Sequence, residues 1–374
     1  MISYWIAYLS DVLGNRSKAE EHLAKAVAAP TTLIFPFRQE SAEILSWANK
    51  LKPHWKTRYY RALAYWSKER TDVASDELLA CGNEPTDWAF YVTRANFTRM
   101  QKNGDPFKDY SRALDLGKTE WRPYHALVEF HISQNAFSSA LEIARSAVNA
   151  FPQSYVALFD LSRSYLYAQQ AVSCVQILDT LTVLPFEGAS YTRDMYRQSC
   201  IVAAAEMMRS GRHADAVQFL RKSKSWPERL GVGKPYEVDT RFSDFLELQC
   251  LEQSGNKSEA SALAESILSF TRKHRGDGSL AQLFGALQLR KAGQVNEAGQ
   301  LIAEWTKSDA PESVRWLAGV YEGSKPRIQE AEKKMRGSAA GAFLGRSGMN
   351  QELALMMDVY SILTGPGAAP NLRW

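Results

Sequence analysis

A chain of 374 residues exceeds what one compact core holds, so two domains or an elongated array is expected. Its 45% hydrophobic, 11% aromatic and 23% charged residues make a folding composition and exclude wholesale disorder. The net charge of +4 is small for the length and gives no reason to expect nucleic acid or an acidic membrane as partner.

The chain opens on "MISYWIAYLSDVLGNR", apolar but without a basic leader, and Asp11 ends the run too early to span a bilayer. It reads as the first helix of a pair covering residues 1–30, not as a signal peptide or a membrane anchor. "LIFPFRQES" (33–41) follows, and Pro36 must break any helix there and fix a bend. Phe35 and Phe37 are expected to cover the flank between the first pair and the next as an inter-repeat plug. Arg38 is expected to cap carbonyls or meet a carboxylate. Residues 31–224 then carry helical periodicity with no alternating strand, including degenerate pairs near 55–80 and 88–115.

Stepping "ALVEFHISQNAFSSALEIARSAVNAFP" (126–152) forward by 34 residues meets the same order of small, large and turn residues at 160–186. Leu127 falls on Leu161, His131 on Tyr165, Asn135 on Gln169 and Ala140 on Cys174. At four further places a glycine (Gly14, Gly211, Gly255, Gly293) stands five residues before an alanine (Ala19, Ala216, Ala260, Ala298). The glycine ends one helix where positive φ costs least, and the small alanine lets the next helix approach closely. This is the tetratricopeptide pattern, and roughly eight helix pairs fit the length. The expected fold is all-α: a right-handed α-solenoid, a superhelix of stacked tetratricopeptide-like pairs.

"SWPERLGVGKPYEVDT" (225–240) interrupts the beat as a Pro/Gly loop. Its "LGVGKP" is no phosphate loop, because Pro235 stands where Ser or Thr would hold a metal ion and no strand precedes it. Repeats resume over 241–310, residues 311–363 read as C-terminal capping helices, and 364–374 as a Gly/Pro-rich tail.

Chemistry is sparse. Cys81, Cys174, Cys200 and Cys250 lie too far apart for a CxxC site or a disulfide framework, and reduced thiols fit a cytoplasmic setting. The histidines His22, His54, His125, His131, His213 and His274 form no HExxH, and His131 occupies a packing position. Glu40 lacks a second placed carboxylate, so glycoside hydrolysis is not expected. No catalytic residue, metal or cofactor is assigned.

What remains is the inner face, whose residues should recur at i, i+3, i+7 and i+10 along the first helix of each pair. That face gives Lys56, Tyr59, Leu63 and Trp66, then Trp88, Tyr91, Ala95 and Thr98. It continues with Arg122, His125, Glu129 and Ile132, then Val156, Phe159, Arg163 and Leu166, with Arg99 and Tyr167 adjacent. The binding candidates are Tyr59, Trp66, Trp88, Tyr91, Arg99, Arg122, His125, Glu129, Arg163 and Tyr167, because aromatic and Arg anchors dominate binding hot spots.

"FPFRQESAEILSWANKLKPHWKTRYYRALAYW" (35–66) resembles a passage in bacterial proteins that join a DUF5107 region to a long tetratricopeptide array. Phe35, Pro36, Phe37, Arg38 and Glu40 match its "FPFR-E" loop, Trp55, Lys56, Tyr59 and Tyr60 its following helix, and "PERLGVGKP" (227–235) a later linker. The resemblance implies a β-sandwich ahead of the repeats and a carbohydrate-related role for the whole proteins. This chain has no such region and starts inside a repeat, so it is expected to be the C-terminal module of a larger protein or a shortened member. The expected function is a non-catalytic scaffold presenting a groove to a protein or peptide, its own missing N-terminal domain among the candidates. The alternative is a carbohydrate-binding or carbohydrate-processing accessory module that uses groove Trp, Tyr and Arg residues on a glycan.

Overall fold

A computed structural model describes residues 1–31, 34–185, 190–306, 310–338 and 350–365. The described residues form twenty α-helices and no strand. They cluster into two compact units, Met1–His131 with Asn149–Pro152, and Ile132–Val148 with the chain from Gln153 onward.

In the first unit α1 (Ile2–Val12) packs against α2 (Arg16–Ala28), α4 (Trp55–Trp66) against α5 (Thr71–Leu79), and α6 (Trp88–Gln101) against α7 (Pro106–Leu116). An extra helix, α3 (Gln39–Leu51), stands between the first two pairs and touches both α1 and α4. Next come α8 (Trp121–Ser133) and α9 (Phe137–Ala150), along which the boundary between units runs. The second unit stacks α10 (Tyr155–Tyr167) with α11 (Ala171–Leu178), α12 (Tyr191–Arg209) with α13 (His213–Lys224), and α14 (Arg241–Gln253) with α15 (Lys257–Lys273). It continues with α16 (Gln282–Lys291) on α17 (Val295–Trp305) and α18 (Glu312–Glu322) on α19 (Lys325–Ser338), and ends in α20 (Gln351–Thr364).

A left-handed turn residue joins the two helices of each pair among the described residues. Gly14, Gly211, Gly255, Gly293 and Gly323 all have φ between 69° and 79°, and Glu69, Lys102, Asn135 and Gln169 make the equivalent turns at 54° to 60°. Five residues on, Ala19, Ala74, Ala140, Cys174, Ala216 and Ala298 are fully buried, each letting the second helix of its pair close on the first. Several helix starts are capped by side chains. Asn15 and Asn256 accept the N–H of Lys18 and Glu259, and Asp105 accepts from Phe107 behind Pro106 at the first helical position.

Aromatic rings fill the core of the first unit. Tyr4 meets Tyr60 edge-on at 6.2 Å and shares a 3.0 Å hydrogen bond with Thr57 Oγ1, while Phe90 packs on Trp55 and Tyr59. Lys56 is buried here, its ammonium donating to the carbonyls of Val27 and Ala29 at 2.6 and 2.5 Å and so closing the C-terminus of α2.

The 34–38 segment departs from the expected plug. Pro36 is buried, but Phe35 and Phe37 are 69% and 60% exposed, and Arg38 lies in solvent beside the Phe37 ring. Arg38 occupies the N-cap position of α3 without a capping side-chain hydrogen bond. The physical reason is that α3, not the loop, fills the space between the first two pairs. Ile44, Leu45 and Ala48 of α3 supply the buried contacts that Phe35 and Phe37 were expected to make.

In the second unit the 225–240 loop is bound rather than loose. The Val183 N–H donates to the Arg229 carbonyl at 2.8 Å, and Thr192 Oγ1 donates to the Leu230 carbonyl at 2.8 Å. Gly231 (φ +70°) follows, and a Cβ there would stand 2.8 Å from the Val183 carbonyl oxygen. α20 packs on α12, 155 residues earlier in the chain, where the Arg197 guanidinium grips Glu352 in a two-pronged pair at 2.6 Å each. Leu353, Leu355, Met356, Met357, Val359 and Leu363 join the core, and Tyr360 meets the buried Trp316 of α18 edge-on at 5.5 Å. The tail over 366–374 lies outside the described residues.

Candidate functional site

The first unit opens a cleft of about 860 Å³, built from α1, α3 and the end of α4. Trp5 and Tyr8, three residues apart, share one face of α1. From α3 come Gln39, Glu40, Glu43, Ser46, Trp47 and Lys50, the face left over once Leu45 and Ala48 turn to the core. Ala64, Tyr65, Lys68 and Arg70 close the third side. The volume lies in the range of a cleft that holds a drug-sized ligand or a short peptide segment.

Trp47 is the fixed point. Its indole N–H donates to Asp11 Oδ2 at 2.9 Å, and its ring meets Tyr8 edge-on at 5.4 Å and 76°. Asp11 is held in turn by Arg16 at 3.1 Å. A half-buried indole with its only donor satisfied offers a rigid apolar surface at little entropic cost. Opposite it, the Arg70 guanidinium lies 5.1 Å over the Tyr65 ring. The rim is charged: Glu40 and Glu43 at the start of α3, Lys50 at its end, and Lys68 and Arg70 beyond α4. Glu43 accepts from Gln39 at 3.3 Å, whereas Glu40, Lys50, Lys68 and Arg70 meet no oppositely charged group among the described residues.

The candidates read from the sequence lie elsewhere. Tyr59 and Tyr91 are core residues, their hydroxyls bonded to Thr93 Oγ1 (3.3 Å) and to the Pro85 carbonyl (2.9 Å), and burial pushes the Tyr59 phenol up to about 12. Trp66 is 40% exposed and leans edge-on against Phe97, Trp88 is half-buried against Gly117, and Arg99 is exposed. Arg122 is exposed, pairs with Glu120 at 3.4 Å and lies 4.7 Å over Trp121. His125 and Glu129 are half-buried, and His125 meets Trp121 edge-on. In the second unit Arg163 bonds Asp160 at 3.1 Å, and Tyr167 is buried in a stack on Phe137 at 5.2 Å. Arg163 and Tyr167 do share a smaller recess of about 340 Å³ with Phe159, Tyr191 and Asp194. None of the ten lines the larger cleft.

Three of the four residues on the assumed face of α4, Lys56, Tyr59 and Leu63, are buried in the core, and the cleft is lined by Ala64 and Tyr65, with Lys68 beyond the helix end. Trp5, Tyr8 and Trp47 are absent from the sequence-derived set because the inner-face spacing starts at Lys56, after α1, and α3 stands outside the helix pairs. The Trp5–Tyr8 spacing and the charged ends of α3 were the available signal.

The fold and its turns define the class: an all-α array of tetratricopeptide-like helix pairs. No family model matches the sequence, and no curated protein sequence matches it. Solved structures resemble it in parts. PilF of Pseudomonas aeruginosa is 13% identical, over 61% of this chain and 94% of its own, with a TM-score of 0.34. YrrB, described as a TPR protein with an unusual peptide-binding site, is 13% identical over 60% of this chain and 97% of its own, at 0.34. The Naa15/Naa10 assembly bound to HypK-THB gives 16% identity over 86% of this chain and 47% of its own, at 0.44. No helix among the described residues is long and apolar enough to cross a membrane.

Proposed function

We propose that this chain is a non-catalytic interaction scaffold whose α1–α3–α4 cleft holds a short segment of a partner protein. One observation carries the proposal: a clamped Tyr8–Trp47 pair faces an open cleft whose rim charges Glu40, Lys50, Lys68 and Arg70 meet no opposite charge among the described residues. Rigid aromatic anchors inside a polar rim are how a small surface concentrates binding energy. The cleft lining favours binding over chemistry. Among the described residues it contains no His or Cys, and the one hydroxyl on an aliphatic side chain there, Ser46, is spent on the Ala42 carbonyl at 2.7 Å.

A second reading has an observation of its own. Trp5, Tyr8, Trp47 and Tyr65 are all half-buried around Glu40 and Glu43, the mixture of ring faces and carboxylates that a glycan also uses. Kinship with the DUF5107-linked arrays, carried by residues 35–40 and 55–60, would favour that ligand.

Random dodecapeptides displayed on phage and selected on the full chain test the first reading. Selected peptides are expected to quench tryptophan fluorescence and to lose at least about tenfold in affinity with Trp47→Ala and with Lys50→Glu. Peptides that bind both variants as tightly as the parent would remove the cleft from the account. A glycan array that responds where peptides do not would select the second reading.

A further inference from the structure

The exposed Phe35 and Phe37 remain unexplained by packing. Their loop is anchored on both sides: the Ile34 N–H donates to the Thr31 carbonyl at 3.1 Å, Pro36 is buried, and the Phe37 carbonyl accepts from Ser67 Oγ at 3.0 Å. A backbone fixed in this way, with proline setting φ, holds two large rings out in water, 69% and 60% exposed. Exposed apolar groups rimmed by charge mark interaction surfaces. The cleft rim begins at Gln39, two residues after Phe37, and Ser67 beneath the loop adjoins Lys68 of the same rim.

We infer that a second copy of this chain docks on this face, each copy placing Phe35 and Phe37 in the other's cleft. A two-fold contact requires a patch that complements itself, because each surface meets its own duplicate. This patch carries both halves of each contact. Its aromatic walls, Trp5, Tyr8, Trp47 and Tyr65, belong to the cleft whose rim starts at Gln39, directly after the Phe35–Arg38 segment. Arg38, which has no carboxylate partner among the described residues, precedes the exposed Glu40 and Glu43 in the same stretch of chain. A foreign partner would have to reproduce both halves at once, whereas a second copy supplies them by construction. The inference rests on the reading of the cleft as a binding surface and adds its occupant. The shared chemistry is an aromatic pair followed by a cation, so a partner segment of that pattern would compete with the second copy.

Sedimentation equilibrium of the full chain from about 1 to 100 µM tests it. The parent is expected to approach twice its monomer mass across that range. Phe35→Ser/Phe37→Ser should weaken association at least about tenfold, with helix content and melting temperature unchanged because neither ring packs in the core. A charge exchange gives an independent arm. Arg38→Glu alone and Glu40→Arg/Glu43→Arg alone should each stay monomeric, and a mixture of the two should form a heterodimer. A parent that is monomeric throughout, an unchanged dimer in the serine variant, or a mixture that stays monomeric would each overturn the inference. Peptide binding that still depends on Trp47 would then show that the cleft binds something other than a second copy.

Discussion

Among the described residues nine hairpins pass through a left-handed residue, and four of these are not glycine. A side chain at positive φ pays a steric cost of about 1 kcal/mol that glycine escapes, and Asn tolerates the conformation better than Glu or Gln. Glu69→Gly and Gln169→Gly should therefore each stabilise the fold by about 0.5–1 kcal/mol, and Asn135→Gly by less, read from chemical denaturation midpoints. The reverse case is Gly285, packed in α16 so that a Cβ would meet the Thr271 side chain at 2.2–2.9 Å. Gly285→Ala should cost about 2 kcal/mol or more, since Thr271 is buried and bonded to the Ile267 carbonyl and cannot swing away. A titration belongs to this scale as well. Burial pushes the Glu206 carboxyl up to about 6, so between its ordinary 4.5 and 6 the folded chain keeps a proton that the unfolded chain has released. Stability from this group is present below pH 4.5 and is lost as pH rises through 6. Glu206→Gln should thus raise the melting temperature more at pH 8 than at pH 4, and an equal gain at both would show that the group does not govern the slope.

Among the described residues two helices, α3 and α20, fall outside the repeating pairs, one in each unit. The pairs were legible in the sequence because their determinants are local: a turn residue and, five positions later, a small one such as Ala19 or Ala216. α3 was not, since its place depends on which neighbour each of its faces meets. Nor was the orientation of α4, which is set by Lys56 reaching carbonyls 27 and 29 residues earlier to close α2. No spacing rule along α4 contains that contact. α20 is the extreme case, with its Arg197–Glu352 pair linking positions 155 residues apart. Arg197→Ala should cost about 2 kcal/mol and lower hydrogen-exchange protection in α20 first, with Glu352→Ala adding little to it, because both remove one partly buried interaction. Full additivity of the two would contradict a direct pair.

For the molecule as a whole, the architecture followed from periodicity, but the site depended on which inner surface stays open. In the second unit, α20 covers α12 with Leu353, Met356 and Met357 buried, and the recess beside Arg163 and Tyr167 is smaller, about 340 Å³. In the first, the surface between α1, α3 and α4 remains a cleft with Trp47 held at its wall. The inner-face spacing selects Tyr59 and passes over Tyr65, which residue type alone does not distinguish from it. Only packing separates the first, sealed in the core, from the second, facing the cleft. The most direct test compares one selected peptide on three full-length proteins: the parent, Trp47→Ala and Arg163→Ala. The account predicts at least about a tenfold loss of affinity for Trp47→Ala and less than about twofold for Arg163→Ala. The opposite order would place binding in the second unit and contradict it.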